Sequence, residues 1–313
     1  MNNNGPLIYS GRASISLAKS VRDELGVTLG SLRIKKFADS EPWFRVEDYK
    51  KIPGRNVYII QSTSEYAPTT YFDLFGIMNA VQRQSPKRLV VVMPFMGFRR
   101  QERDVNGGEA VMAELMARFI IEAGATDVVL CDPHAPAIVQ FFEKKIRVHL
   151  VDPNPIFAAA LAEEDLSEYV VLTPDSGRET AARVLSRLLG VPLASAKKMR
   201  PAHDKSESLG IENSQSVRGK KVIIREDEVS TAGTVGNTGK DIKEAGGLAI
   251  TIMATHAVLV GESVWNITDS ADISKLYVTD SIYLPWEKRE EGKIIVLSLA
   301  PAIAKIIREI EEQ

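Results

Sequence analysis

Cysteine and histidine are scarce in this chain of 313 residues, which has one cysteine, Cys131, and four histidines. A single cysteine excludes a disulfide within the chain and is typical of a reducing compartment. Because Cys131 stands in the apolar run VVLCD, we expect a buried, unreactive thiol rather than a nucleophile. One cysteine and four histidines do not form a cluster with the ligand spacing of a zinc site.

Strong net charge and long apolar runs are also missing. The formal net charge is −2 at pH 7, so we expect no broad basic surface for nucleic acid. No apolar run is long enough to cross a bilayer. The first residues, MNNNGPLIYSG, lack the basic and apolar regions of a signal peptide. The sequence therefore predicts a cytoplasmic protein without nucleic-acid or membrane partners.

Short apolar runs alternate with amphipathic stretches of helical length along most of the chain. The runs predicted as strands are residues 7–10, 32–37, 57–61, 89–94, 128–132, 169–173, 222–225, 249–254 and 276–280. The stretches predicted as helices include residues 14–25, 71–83, 109–123, 178–189 and 238–245. Alternation of this kind predicts an α/β fold built around mostly parallel sheets.

The two halves of the chain have similar patterns. KRLVVVMPF with its helix and TDVVLCDPH in the first half resemble EYVVLTPDSG with its helix and KKVIIRED in the second. The stretch VDPNP breaks the pattern, so we predict two domains, residues 1–150 and 151–313. A last helix-like stretch, residues 297–310, could pack on either half.

Residues 221–234, KVIIREDEVSTAGT, predict a sugar-phosphate site. A β-branched run ends in Glu226 and Asp227, and a loop of small and hydroxyl residues leads into a helix. Backbone N–H groups at such a loop bind phosphate. Carboxylates at the carboxyl end of a parallel strand lie where ligands collect and accept hydrogen bonds from sugar hydroxyls. We expect both carboxylates to line an open pocket above residues 231–234; an ordinary turn with a helix cap is the alternative.

Two further stretches follow predicted strands and carry polar groups. In FADSE, the ring of Phe37 could stack on a base beside Asp39 and Glu41, although a solvated turn explains the same residues. In FRRQERD, Arg100 and Gln101 could contact a polyphosphate and an adenine edge, or form an exposed loop.

DPHAP and TPDSG supply His134 and Asp175, which could help to hold a Mg²⁺ ion bound otherwise by water and phosphate. A structural histidine is the alternative. AKKMRP places Lys197, Lys198 and Arg200 at the base of a long polar stretch that ends near residue 219. Loops of this length are typical of lids over active sites or of mobile segments.

Together these stretches resemble the ribose-phosphate pyrophosphokinase family. REDEVSTAGT is similar to the phosphoribosyl-pyrophosphate loop that this family shares with phosphoribosyltransferases. FADSE, IIQSTS, FRRQERD, CDPHAPAIVQFF, TPDSG and ATHAVLVG follow the family's motifs in the family's order, over nearly the whole chain. The resemblance implies two similar phosphoribosyltransferase-like, Rossmann-like α/β domains.

The resemblance also implies a reaction and a set of site residues. The reaction is transfer of the diphosphoryl group of Mg-ATP to O1 of ribose 5-phosphate, which gives phosphoribosyl pyrophosphate and AMP. The family's assemblies imply a homo-oligomer, a dimer or a hexamer, in which the adenine site is shared between subunits. The implied roles are ATP binding by Phe37, Asp39, Glu41, Arg100 and Gln101; Mg²⁺ binding by His134 and Asp175; catalysis by Lys197 and Arg200; and ribose 5-phosphate binding by Glu226, Asp227, Ser230, Thr231, Ala232, Gly233 and Thr234.

The sequence departs from the family pattern at several positions. Ser230 stands where the family has Asp, and DVNGGEA, residues 104–110, replaces a basic stretch. Arg178 and Met199 stand where relatives carry Gly and often Arg. Two hypotheses follow: an active pyrophosphokinase with altered regulation, or a catalytically weak paralogue that serves as a regulatory or binding subunit. A phosphoribosyltransferase is disfavoured because FADSE and FRRQERD indicate an ATP site.

Overall fold

The computed structural model describes residues 5–64, 66–174, 177–198, 208–231, 233–289 and 292–313. The chain divides into two compact units. The first comprises Met1–Asp152, Ser281–Tyr283 and Ser298–Gln313, and the second comprises Pro153–Asp280 and Leu284–Leu297. The C-terminal segment therefore belongs with the first unit.

The elements alternate as the sequence predicts. The strands are β1 (Leu7–Ser10), β2 (Leu32–Lys36), β3 (Pro42–Val46), β4 (Asn56–Ile60), β5 (Arg88–Met93), β6 (Asp127–Cys131), β7 (Arg147–Val151), β8 (Tyr169–Thr173), β9 (Leu193–Lys198), β10 (Ser208–Ile211), β11 (Lys221–Val229), β12 (Ala249–Ala257), β13 (Ile273–Thr279) and β14 (Ile294–Leu297). The helices are α1 (Ile15–Leu25), α2 (Ala67–Gln82), α3 (Met112–Glu122), α4 (Pro136–Glu143), α5 (Asn154–Ala159), α6 (Glu179–Leu189), α7 (Gly233–Glu244), α8 (Ser263–Thr268) and α9 (Ala300–Glu311).

In the first unit, the described strands form a parallel sheet in the order β1-β4-β5-β6-β7. Every residue of β5, RLVVVM, is buried, as expected for a parallel strand covered on both faces. The strands β2 and β3 form a separate antiparallel hairpin that pairs Leu32 with Val46 and Lys36 with Pro42. The FADSE motif therefore lies at the tip of this hairpin.

In the second unit, the described strands form a sheet in the order β10-β9-β8-β11-β12-β13-β14, parallel except for the pair of β10 with β9. The long strands β11 and β12 lie inside this sheet, so their carboxyl ends are central. Successive side chains of β11 alternate between two faces. Ile223 packs with Phe157 of α5 and Leu185 of α6 on one face, and Ile224 packs with Ile242 of α7 on the other.

The predicted α/β class, with mostly parallel sheets, is confirmed, but two local expectations are wrong. The strand β11 does not end before the acidic pair; it continues to Val229, which pairs with Ala257 of β12. Backbone pairing of this kind does not require apolar side chains, so the polar sequence did not reveal it. Part of the polar stretch expected to be a loop also forms strand β10, whose Ile211 pairs with Ala196 of β9.

A buried polar cluster joins α9 to the amino ends of β5 and β6. Arg88 and Asp127, the first residues of these strands, form two contacts, Nη2 to Oδ1 at 2.5 Å and Nε to Oδ2 at 3.1 Å. Arg88 Nη1 also donates to the carbonyl of Ile310 in α9 at 3.2 Å. Burial by itself raises the pKa of Asp127, but hydrogen bonds from His149, Arg88 and Thr126 outweigh burial and hold the pKa well below its ordinary value.

Candidate active site

The strand, loop and helix predicted around the phosphate are present. β11 ends at Val229 and α7 begins at Gly233, so the connection is short. Ser230 is half-buried and its carbonyl accepts a hydrogen bond from the Val260 N–H at 3.1 Å, whereas Thr231 is exposed. Ala232 and the side chain of Thr234 lie outside the described residues. A helix that starts directly after a strand presents N–H groups to an anion at the carboxyl edge of the sheet.

The two acidic residues of the predicted sugar site are largely buried. Glu226 is 8% exposed and Asp227 is 4% exposed. Oδ2 of Asp227 lies 2.9 Å from Nη2 of Arg178, in a buried ion pair. The ladder of β11 with β12 pairs Glu226 with Ala254 and Glu228 with His256. The expectation that both carboxylates line one open pocket stays a prediction.

Arg225 fixes the strand directly before the acidic pair. Its side chain is only 1% exposed. Nε donates to Oδ1 of Asn154 at 2.8 Å and Nη2 donates to Oγ1 of Thr255 at 3.2 Å, and the guanidinium lies 5.1 Å from the centre of the Phe157 ring. These contacts link α5, β11 and β12. Our interpretation of the sequence missed this role, although a charged residue inside the run VIIRED was a visible signal.

The remaining residues predicted in the second unit are only partly described. The backbone of Lys197 lies in β9, beside β8, and its side chain is outside the description. Asp175 and Arg200 also lie outside the described residues. Their assigned roles in metal binding and catalysis stay predictions.

In the first unit, the FADSE motif forms the exposed tip of the β2–β3 hairpin. Phe37 is 57% exposed, and its N–H donates to the carbonyl of Glu41 at 2.9 Å. The Glu41 N–H donates to Oδ1 of Asp39 at 3.1 Å, which stiffens the turn. An aromatic ring projecting from a closed turn presents a free face to another molecule.

Two other predicted ligand-binding segments follow strands of the first unit. Arg100 and Gln101 are exposed after β5, and His134 is half-buried between β6 and α4. All lie beyond the carboxyl ends of parallel strands, where ligands bind in such sheets.

The stretch that replaces the family's basic residues folds onto itself. The carboxylate of Asp104 accepts hydrogen bonds from the N–H groups of Gly107 at 2.6 Å and Gly108 at 2.8 Å. Glu109 accepts from the Val105 N–H at 3.1 Å. Gly107 and Gly108 both have φ values above +80°, a conformation that favours glycine. These two carboxylates satisfy backbone donors of their own loop.

Metal-ligand clusters and membrane-spanning helices are both absent from the described part of the chain. Within it, no three or more side chains of His, Cys, Asp or Glu group closely enough to hold a metal ion. Among the helices described, none combines the length and apolar character needed to cross a bilayer.

Comparison with known proteins places these features in one family. Residues 7–124 match the model for the N-terminal domain of ribose phosphate pyrophosphokinase, and residues 156–276 match the phosphoribosyl transferase domain. The chain is 35% identical to the ribose-phosphate pyrophosphokinase of Bacillus subtilis, over 98% of this chain and 94% of the relative. It is 36% identical to ribose-phosphate pyrophosphokinase 2 of Enterococcus faecalis, over 97% and 93%.

A solved structure agrees with the sequence relatives. The crystal structure of phosphoribosylpyrophosphate synthetase from Mycobacterium smegmatis superposes with a TM-score of 0.88 and 28% identity, over 99% of both chains. Both the sequence relatives and the shared fold extend over nearly the full length, and the resemblance seen in the short motifs is thereby confirmed. This chain belongs to the ribose-phosphate pyrophosphokinase family.

Proposed function

We propose that this protein transfers the diphosphoryl group of Mg-ATP to O1 of ribose 5-phosphate, giving phosphoribosyl pyrophosphate and AMP. The observation that carries the proposal is the near full-length match to enzymes named for this reaction. The connection from β11 to α7 supports it, because a phosphate-binding turn lies at the carboxyl edge of the second sheet.

The proposed roles follow the chemistry of each segment. The turn that contains Thr231 binds the 5-phosphate, while Glu226 and Asp227 accept hydrogen bonds from the ring hydroxyls. In-line attack by O1 on the β-phosphorus needs charge neutralisation rather than covalent catalysis. Lys197 and Arg200 supply positive charge at the transferring phosphates, and exclusion of water limits ATP hydrolysis.

On the nucleotide side, Arg100 and Gln101 contact ATP. Phe37 stacks on the adenine of a neighbouring subunit, beside Asp39 and Glu41, so the active form is at least a dimer. The exposed ring at the hairpin tip supports this assignment. We propose a cytoplasmic homo-oligomer, consistent with a single, buried cysteine.

The available ligands fit a magnesium ion that arrives with ATP. Mg²⁺ keeps several waters and is held by phosphate oxygens with one or two protein groups. His134, half-buried after β6, is the described candidate, and Asp175 is the candidate carboxylate. When bound, Mg²⁺ would neutralise charge on the phosphates. The chain's own part is to orient the hydrated ion.

A second candidate function is a catalytically weak subunit that binds or regulates an active pyrophosphokinase. The ion pair between Asp227 and Arg178 favours it, because one of the proposed sugar ligands is already occupied. Ser230, in place of the family's Asp, and the self-closed loop of residues 104–109 point the same way.

One assay separates the two candidates. Purified protein is incubated with Mg-ATP and ribose 5-phosphate, and AMP is measured. We expect AMP formation that requires both substrates, that is abolished by Lys197→Ala without loss of the fold, and that is maintained or raised by Ser230→Asp. Absence of AMP with retained binding of ATP or of an active relative would favour the regulatory subunit.

A further inference from the structure

Arg178 lies where it can reach the end of β11. It stands directly before α6, in the segment that follows β8, and its carbonyl accepts the Ala182 N–H at 3.0 Å. Its side chain does not cap the helix. Because Leu172 of β8 pairs with Ile224 of β11, the carboxyl ends of these two strands lie side by side. Arg178 and Asp227 meet near this edge of the sheet.

The ion pair between these two residues is shielded from water. Arg178 is 8% exposed and Asp227 is 4% exposed, and Nη2 lies 2.9 Å from Oδ2. Hydrogen bonds between charged groups are stronger than neutral ones, and screening by salt is weak in a buried position. Loss of either residue removes a charge-assisted contact from a buried position. The pair is closed in this structure.

A sugar hydroxyl would need the same carboxylate. With so little of Asp227 exposed, a hydroxyl donor that binds this carboxylate competes with the guanidinium of Arg178. The free energy of breaking the pair is then subtracted from the free energy of sugar binding.

We infer that Arg178 occupies the place of a sugar hydroxyl on Asp227 and so sets the protein's affinity for ribose 5-phosphate. This inference rests on the proposed function. Binding of the sugar phosphate displaces the guanidinium, and the 5-phosphate turn is unaffected. Arg178 is accordingly a residue that lowers sugar affinity without touching the reacting phosphates.

The test is calorimetric titration of ribose 5-phosphate into wild type and Arg178→Ala, without ATP. A charge-assisted hydrogen bond contributes enough that we expect about tenfold to a hundredfold tighter binding by Arg178→Ala. The matched control is Arg183→Ala on the same helix, which removes an exposed arginine paired with Glu179. The affinity of Arg183→Ala for ribose 5-phosphate should equal that of wild type.

Two further measurements separate displacement from a general structural effect. Inorganic phosphate, which has no sugar hydroxyls, should bind Arg178→Ala no more tightly than wild type. In steady-state kinetics, Arg178→Ala should lower KM for ribose 5-phosphate and leave KM for ATP unchanged. If Arg178→Ala does not fold, Arg178→Gln keeps a hydrogen-bond donor without the charge and should give a smaller gain of the same sign.

The outcomes are distinct. Tighter sugar phosphate binding, with unchanged phosphate binding, supports the inference, even if wild type itself binds too weakly to measure. The inference is overturned if wild type binds ribose 5-phosphate detectably and folded Arg178→Ala or Arg178→Gln binds it no more tightly. It is also overturned if the affinity for inorganic phosphate rises as much as the affinity for ribose 5-phosphate. If neither wild type nor the folded variants bind ribose 5-phosphate, the proposed function itself fails.

Discussion

In the part of the chain that the structure describes, two arginine–aspartate pairs are buried, at opposite ends of their strands. Arg88 and Asp127 are the first residues of β5 and β6 in the first unit. Asp227 of the other pair lies near the carboxyl end of β11 in the second unit, bound to Arg178. Each pair joins a buried arginine to a buried aspartate, so the feature that distinguishes the pairs is the end of the strands at which they lie.

The position of each pair indicates its role. In parallel sheets, ligands bind at the carboxyl ends of the strands. The pair at the amino ends makes two contacts within itself and a third to α9, so it serves the packing of the first unit. The pair near the carboxyl end lies on the strand that leads into the turn predicted to bind phosphate. We therefore expect substitutions at the first pair to change stability and substitutions around the second to change binding and rate.

The largest expected effect is on the rate of AMP formation, for a substitution near the carboxyl end of β11. Glu226→Gln removes a carboxylate next to Asp227 and should slow AMP formation by about 10²-fold to 10³-fold, since a preorganised polar contact in an active site contributes that much. Glutamine keeps the shape of the side chain, so the unfolding free energy should change by no more than about 1 kcal/mol. Initial rates and urea unfolding on the same preparations check both values. If Glu226→Gln lost stability but kept its rate of AMP formation, the expected difference between the two ends of the strands would be contradicted.

A substitution at the amino ends of β5 and β6 should instead lower stability and leave the rate of AMP formation unchanged. Asp127→Asn leaves Arg88 buried without its counter-charge and should lower the unfolding free energy by about 3 kcal/mol. The activity of the remaining folded protein should be that of wild type. Asp23→Asn is the matched control, because Asp23 forms an exposed pair with Arg22 that contributes at most about 1 kcal/mol.

The contribution of Asp127 should also disappear in acid. The pKa of Asp127 in the folded protein is well below its ordinary value of 3.8. A lowered pKa stabilises the folded state above the unfolded pKa, and this stabilisation is lost as pH falls through the folded pKa. The difference in unfolding free energy between wild type and Asp127→Asn should be constant above about pH 5 and should narrow below about pH 4. A difference that widens in acid would contradict the assignment.

The smallest expected effect concerns α9. Glu311 accepts hydrogen bonds from the Tyr58 hydroxyl at 2.6 Å and from the Asn56 amide at 2.9 Å. Burial, and then the bond to Glu311, raise the pKa of Tyr58 above its ordinary range. Glu311→Gln should lower the unfolding free energy by about 1 kcal/mol and leave the rate unchanged, because hydrogen bonds to a neutral acceptor are weaker. Thermal unfolding and the AMP assay measure both quantities.

Local pattern was sufficient for most elements and for the order of strand, loop and helix around the predicted phosphate turn. Apolar runs such as RLVVVM and the small-residue loop before α7 are visible in the sequence because their periodicity and composition are local. The end of β11 was not visible, because backbone pairing with β12 continues beneath charged side chains. The hairpin strand β3, directly after FADSE, was not predicted either, although Trp43, Phe44 and Val46 are residue types enriched in strands.

The ion pairs could not be predicted for a different reason. Arg178 and Asp227 are far apart in sequence, as are Arg88 and Asp127. They meet only because β8 pairs with β11 and β5 pairs with β6, and the register of those strands is decided by packing of the whole sheet. The sequence was sufficient to show that Arg178 is unusual at its position. It was not sufficient to show that Asp227 is its partner.

The measurement that tests the central claim most directly is ³¹P nuclear magnetic resonance of wild type with Mg-ATP and ribose 5-phosphate. We predict that the resonances of ATP are replaced by those of AMP and of a sugar that carries both a 5-phosphate and a diphosphate. Formation of ADP, or unchanged ATP in the presence of folded protein and both substrates, would contradict diphosphoryl transfer to ribose 5-phosphate.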